Sequence, residues 1–151
     1  MDKPCEILLF DFLSPAIAAA VLGDALFQLE LHDTVHQKIT KNRGLRISEA
    51  VGDISPGPDM VWKEYDVDLM LVSYSRVTGS EKTNRQAALI DVFQIQQAAA
   101  ILLTGDPTLG GRVCDLLIRK CSRGYDVLDG EPYAVANIPL IINPSGARYQ
   151  E

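Results

Sequence analysis

Apolar positions in this chain follow two rhythms, one of two residues and one near 3.6, with breaks rich in Gly, Pro and Asp. The clearest two-residue rhythm is VWKEYDVDLMLVSYSR, residues 61–76. It puts Tyr65, Val67, Leu69 and Leu71 on one face of a strand and Glu64, Asp66 and Asp68 on the other. From Met70 onward both faces turn apolar, which predicts burial on two sides. The acidic half predicts a place at a solvated edge. The clearest helical rhythm follows the polar connection VTGSEKTNRQ, in NRQAALIDVFQIQQAAAILL. There Ala88, Val92, Ile95, Ala99 and Leu102 recur at helical spacing, and Leu89 and Phe93 widen the stripe. Thr83 with Gln86 three residues later is a capping-box pattern. Burying each larger member contributes roughly 1.5–3 kcal/mol, so this helix is the expected anchor of the core. Its small residues, Ala98 to Ala100, permit close approach to a sheet.

Shorter signals flank these two. The apolar run from Cys5 to Leu13 suits a helical turn or a strand, and periodicity does not choose. Ser14-Pro15 predicts a cap and first position for a helix over AIAAAVLG, ending at Gly23. FQLELHD alternates as a strand, against a competing helix through Phe27, Leu31, Val35 and Ile39. GLRIS reads as a short strand and GDISPGPD as a loop. VCDLLIRKCS and YAVANIPLII read as two terminal strands, joined by RGYDVLDGEP, a loop containing Asp-Gly. Pro139 cannot donate to a ladder, which predicts an edge there. These elements predict an α/β (α+β) domain: a mixed, mostly antiparallel sheet packed against one long and one or more short helices. There is no internal repeat. We expect one domain over residues 1–151, with 144–151 a loose tail.

The stretch LLTGDPTLGGRV, residues 102–113, has the glycine content of a phosphate loop. A Walker loop needs a Lys and a hydroxyl residue after its second glycine, between a strand and a helix. Here Gly111 and Arg112 follow Gly110, and the order is helix first, strand after. A structural reading is complete without a ligand. Gly105 ends the helix as a left-handed residue, Asp106 caps a turn opened by Pro107, Leu109 tucks under, and Gly110 and Gly111 reverse the chain.

Composition narrows the chemistry. The chain has 151 residues, a net charge of −6, 47% hydrophobic and 23% charged residues. That is an ordinary globular balance, and its acidity argues against tight nucleic-acid binding. Apolar stretches are interrupted before membrane-spanning length, and CEILLFDFL lacks the basic lead and cleavage site of a secretory signal, so a soluble cytosolic product is expected. Cys5, Cys114 and Cys121 are odd in number and form no C-x-x-C pair, which suits free thiols. In apolar segments Cys114 and Cys121 would behave as small hydrophobes. His32 and His36 share a face only on a helix and complete no metal motif. Glu64, Asp66 and Asp68 suit a solvated face better than a hard-cation site, with a channel or partner surface as a third option. Ser14, Ser73 and Ser75 have no nucleophile-elbow context. No catalytic residue, cofactor or metal is expected.

The order of a long strand ending LVSYSR, a polar break, a long helix, GDPTLGGRVCDLLI, then a loop and PYAVANIPLII resembles the tail terminator (tail completion) proteins of long-tailed bacteriophages. The resemblance covers Trp62 to Ile142 and rests on structural motifs. It implies a small subunit that forms a homo-hexameric ring, caps the tail tube, ends its polymerisation and joins the tail to the head connector or neck protein. The partners implied are copies of itself, the tube protein and the connector, with genomic DNA only in transit through the bore and no membrane. Synthesis would be in the bacterial host cytoplasm and residence at the head–tail junction of the virion. An acidic wall would repel DNA phosphates, which makes Glu64, Asp66 and Asp68 lumen candidates. Arg123, Tyr125 and Asp126 are interface candidates, within the projecting segments Gly52–Asp59, Val77–Thr83 and Arg123–Pro132. The alternatives are another head–tail neck protein, or a small cytosolic α+β ligand-binding domain or enzyme.

Overall fold

A computed structural model describes residues 3–20, 28–31, 42–48, 50–56 and 62–144. Their order is α1 (Cys5–Ala20), β1 (Gln28–Leu31), β2 (Arg43–Ile47), β3 (Val51–Pro56), β4 (Trp62–Arg76), α2 (Lys82–Gly105), β5 (Asp115–Ile118), β6 (Ser122–Leu128) and β7 (Glu131–Asn143). The seven strands form one sheet in the order β1-β2-β4-β7-β5, with β3 also on β4 and β6 also on β7. β1 and β2 run parallel and every other pairing is antiparallel. This is the expected α+β architecture, with a mostly antiparallel mixed sheet, one long helix and one shorter.

β4 and β7 pair from Val67–Ile142 to Arg76–Tyr133 and form the spine of the sheet. On the face turned to the helices, β4 carries Val67, Leu69, Leu71, Ser73 and Ser75, and β7 carries Ala134, Ala136, Ile138, Leu140 and Ile142, all buried. The alanines let α2 approach, and Ala88, Val92, Ile95, Ala99 and Leu103 of α2 pack there. The stripe ends on Leu103 instead of Leu102, which is only partly buried, and Phe93 faces outward. α2 is long and apolar enough to cross a membrane by length and composition; here one face lies on the sheet.

Several local expectations are corrected. Cys5–Leu13 and the segment after it form one helix, with Pro15 inside instead of at its start. Cys5, Leu8, Leu9, Leu13 and Ile17 make a continuous buried stripe across the proline. That burial offsets the backbone hydrogen bond a proline cannot make. Gly23, Phe27, His32 and His36 lie outside the described residues. Within 52–59, residues 52–56 are part of edge strand β3, although their Gly and Pro content predicts a loop. There Gly52 sits so close to Val67 that a Cβ would come within 2.9 Å of its side chain. β4 is interior to the sheet from Val67 onward, with β3 and then β2 on one side and β7 on the other, while its acidic half, residues 62–66, pairs with β3 alone and so lies at an edge as expected. α2 begins at Lys82, and Glu81 precedes it without a side-chain cap, so Thr83 does not play the capping role. The segment 123–132 is strand and hairpin: β6 turns through Asp129 (φ 51°) and Gly130 (φ 78°) into β7. Asp-Gly in left-handed conformations is the turn that matches the twist of a two-residue hairpin. VCDLLIRKCS contributes only the short β5, and Cys114 and Cys121 are exposed.

The glycine-rich connector follows its structural reading with one change. Gly105 is not left-handed; Asp106 closes α2, donating its N–H to the Leu102 carbonyl at 3.3 Å. The Asp106 carboxylate accepts from the Thr108 hydroxyl at 2.7 Å, the Thr108 amide at 3.2 Å and the Gly110 amide at 2.9 Å. Leu109 is fully buried and left-handed, and Gly110 and Gly111 follow at φ 68° and 84°.

Candidate assembly interface

Strand register decides which side chains face away from the helices. Opposite the helices, the other face of the sheet carries Asp68, Met70, Val72, Tyr74 and Arg76 of β4 beside Ile141, Pro139, Asn137, Val135 and Tyr133 of β7. No helix among the described residues covers it. Met70, Val72, Val135, Pro139 and Ile141 are only partly buried. Tyr74 and Tyr133 are buried, packed edge to face at 5.8 Å, and the Arg46 guanidinium lies 5.5 Å from the Tyr74 ring.

The acidic row read from sequence does not exist as a row. Between Val51–Asp68 and Asp53–Tyr65, β3 advances two residues while β4 advances three. The extra residue is Asp66, a bulge at φ 43°. One inserted residue sends every earlier side chain to the opposite face. Glu64 therefore moves to the helix side. There burial, and then the Glu6 carboxylate of α1, raise its pKa above the ordinary 4.5. Tyr65 moves the other way and is buried opposite Asp53. Asp66 and Asp68 stay together, lining an open concavity of about 550 Å³ with Asp115, Arg119, Leu117 and Ile141.

Arg123, Tyr125 and Asp126 sit at the other end of the sheet, on edge strand β6. Arg123 and Tyr125 turn toward α2. The Arg123 guanidinium stacks 4.8 Å from Phe93 and donates at 2.7 Å to Gln96 Oε1. The Tyr125 hydroxyl donates to the Arg85 carbonyl at 2.9 Å, while the Arg85 guanidinium lies 4.5 Å from its ring. Asp126 faces the other way and accepts from the Val127 amide at 2.8 Å. The six site residues thus form no single cluster: Glu64 faces α1, two aspartates share the concavity, and three residues lie on β6.

Two internal groups that sequence reasoning passed over hold these surfaces in place. Gln96 is buried on α2; its amide donates to the Ser122 carbonyl at 3.2 Å and the Asn137 carbonyl at 3.1 Å, where β6 begins beside β7. Asp91 accepts a forked pair from Arg43 at 2.7 and 3.1 Å and a 2.7 Å bond from the Ser75 hydroxyl, tying α2 to β2 and β4. A polar residue inside an apolar helical stripe is the signal that would have flagged Gln96.

Exposed aliphatic side chains gather on the sheet edges: Val51 and Ile54 on β3, Leu117 on β5, Val127 on β6, each at least 60% exposed. Among the described residues, no group of three or more His, Cys, Asp or Glu side chains is placed to hold a metal ion. No family model matches the chain, and no curated protein matches it significantly.

Proposed function

We propose that this chain is a ring-forming structural protein of the bacteriophage head–tail junction. In this reading it caps the tail tube, ends its polymerisation and presents its outer surface to the head connector while DNA passes through the bore. The observation that carries the reading is a sheet that, among the described residues, has helices on one face only and exposed aliphatic side chains on its outer edges. Val51, Ile54, Leu117 and Val127 on those edges stay in water in a solitary subunit, and the other face adds the partly buried Met70, Val72, Val135, Pro139 and Ile141; such surfaces mark contact with other protein. The element order from β4 through α2 and the Asp106 turn to β7 supports it, as does the net charge of −6, since an acidic wall does not hold DNA. Asp66 and Asp68 remain lumen candidates. Glu64, held beside α1, is withdrawn from that role.

A second reading, a small ligand-binding domain, would use the concavity at Asp66, Asp68, Asp115 and Arg119. That hollow is wide open, whereas small-molecule sites bury most of their ligand. Electron microscopy of virions carrying a tagged copy of this chain decides between them. We expect a ring of density between tube and connector, and tails of uncontrolled length without heads when the chain is deleted. Density at the distal tip or on the capsid shell would reject the proposal.

A further inference from the structure

We infer that neighbouring copies join head to tail by continuing one sheet, with β3 of one copy pairing antiparallel to β5 and the connector after it in the next. This rests on the ring reading above and names the surfaces that make the ring.

β3 and β5 lie on opposite edges of the sheet at the same end. Val51 pairs with Asp68, Asp68 with Ile141, and Ile141 with Leu117, so one row of side chains crosses the sheet from edge to edge. That row begins and ends on exposed aliphatics, Val51 at 66% and Leu117 at 60%. β3 runs antiparallel to β5, through β4 and β7 between them, so a copy added at the β5 edge continues the alternation. The two edges are different strands. Their union is therefore heterologous, which closes a ring when the rotation closes and does not stop at a dimer.

Charge selects the register. Side-chain alternation allows only even shifts between the paired strands. Level pairing, Val51 against Leu117, sets Asp53 against Asp115, two carboxylates face to face, which is destabilising. A shift of two sets Asp53 against Leu117. A shift of four sets Asp53 against Arg119, Ile54 against Ile118 and Ser55 against Leu117. Asp53, Arg119, Lys120 and Cys121 are all exposed. The connector Arg119-Lys120-Cys121 puts two adjacent exposed cations in an acidic chain, so the edge that receives Asp53 is its electrostatic complement. A stagger of four residues is about 13 Å over about 19 Å of sheet, a slope of roughly 35°, within the tilt that closed sheets adopt.

Disulfide trapping of the full-length protein tests this. In a Ser55→Cys, Leu117→Cys, Cys114→Ser, Cys121→Ser chain, mild oxidation should join the thiol introduced at position 55 of one copy to that introduced at position 117 of the next. The expected product is a ladder extending past dimer on non-reducing gels, lost when either introduced cysteine is omitted. Asp53→Arg should cut the yield about tenfold, and adding Arg119→Asp should restore it, with circular dichroism confirming that each variant folds. A product that stops at dimer overturns the head-to-tail arrangement. Trapping of Val51→Cys, but not of Ser55→Cys, by Leu117→Cys overturns the register. Rings seen by microscopy without any ladder overturn the edge assignment and leave the ring reading intact. Absence of both rings and ladder, in the presence of tail tubes, rejects the two together.

Discussion

Single residues in this chain take their chemistry from burial and from nearby backbone. Cys5 is fully buried, and burial, followed by the charges of Glu64 and Glu6, pushes its thiol up to about 12. Because the thiolate is the reactive form, Cys114 and Cys121 should react with a thiol reagent in the native protein, and Cys5 only after unfolding. Counting labelled sites by mass spectrometry before and after denaturant checks this. Asp106 shows the opposite shift. The Thr108 hydroxyl, with the Gly110 and Thr108 amides and Arg112, outweighs burial and holds its pKa below the ordinary 3.8. Its stabilising effect is present above 3.8 and fades as pH falls through the lower folded value. Asp106→Asn should flatten that part of the stability profile in acid urea melts. Glu64 behaves in the reverse sense: its raised pKa means the folded state carries an ill-placed charge at neutral pH, relieved as pH falls toward 4.5. Glu64→Gln should therefore raise the urea midpoint at pH 7 and have no effect below 4.5.

At the scale of elements, strand and helix rhythm located both long elements, while the corrections fall where tertiary contact outweighs local preference. β3 carries Gly52 and Pro56, residues that weaken strands, and exists because β4 offers it a partner. Pro139 is the most instructive case. Its prediction of an edge fails for β7 as a whole, yet Pro139 pairs only with Met70 of β4, and on its other side β6 has ended at Ser122 and β5 has not begun. Its carbonyl accepts from the Arg119 amide of the connector at 2.9 Å, so the missing N–H faces that gap. Gln96 braces the β6 side of the same gap. Gln96→Leu should cost about 1–3 kcal/mol, because it strips a partner from two part-buried carbonyls and from the Arg123 guanidinium. Hydrogen exchange should show the loss concentrated in β6, with β4 protected as before.

For the whole molecule, the governing feature is a sheet that, among the described residues, has helices on one side only. Leu71 and Val72 are chain neighbours with opposite fates: Leu71 is fully buried beneath the helices, and Val72 lies partly buried on the face turned away from them. Leu71→Lys should unfold the subunit, since it buries an unpaired charge. Val72→Lys should leave the thermal midpoint within a few degrees of the unaltered protein, in line with substitutions away from the core. If Val72→Lys proved as damaging as Leu71→Lys, that face would have to be covered within the subunit and the case for assembly would weaken.

The sequence by itself determined the class of fold, the two elements that organise it and the role of the Asp106 turn. Each of these depends on near neighbours: side-chain spacing along one helix or strand, or an aspartate two to four residues from the amides it binds. Only the tertiary structure decided which face each β4 side chain occupies, that β3 and β6 are strands, and where the site candidates lie. One bulge at Asp66, stabilised by pairing with a strand ten or more residues away, reverses every assignment before it. Long-range register leaves no mark in a local pattern. For that reason the acidic row was legible as composition but not as a surface.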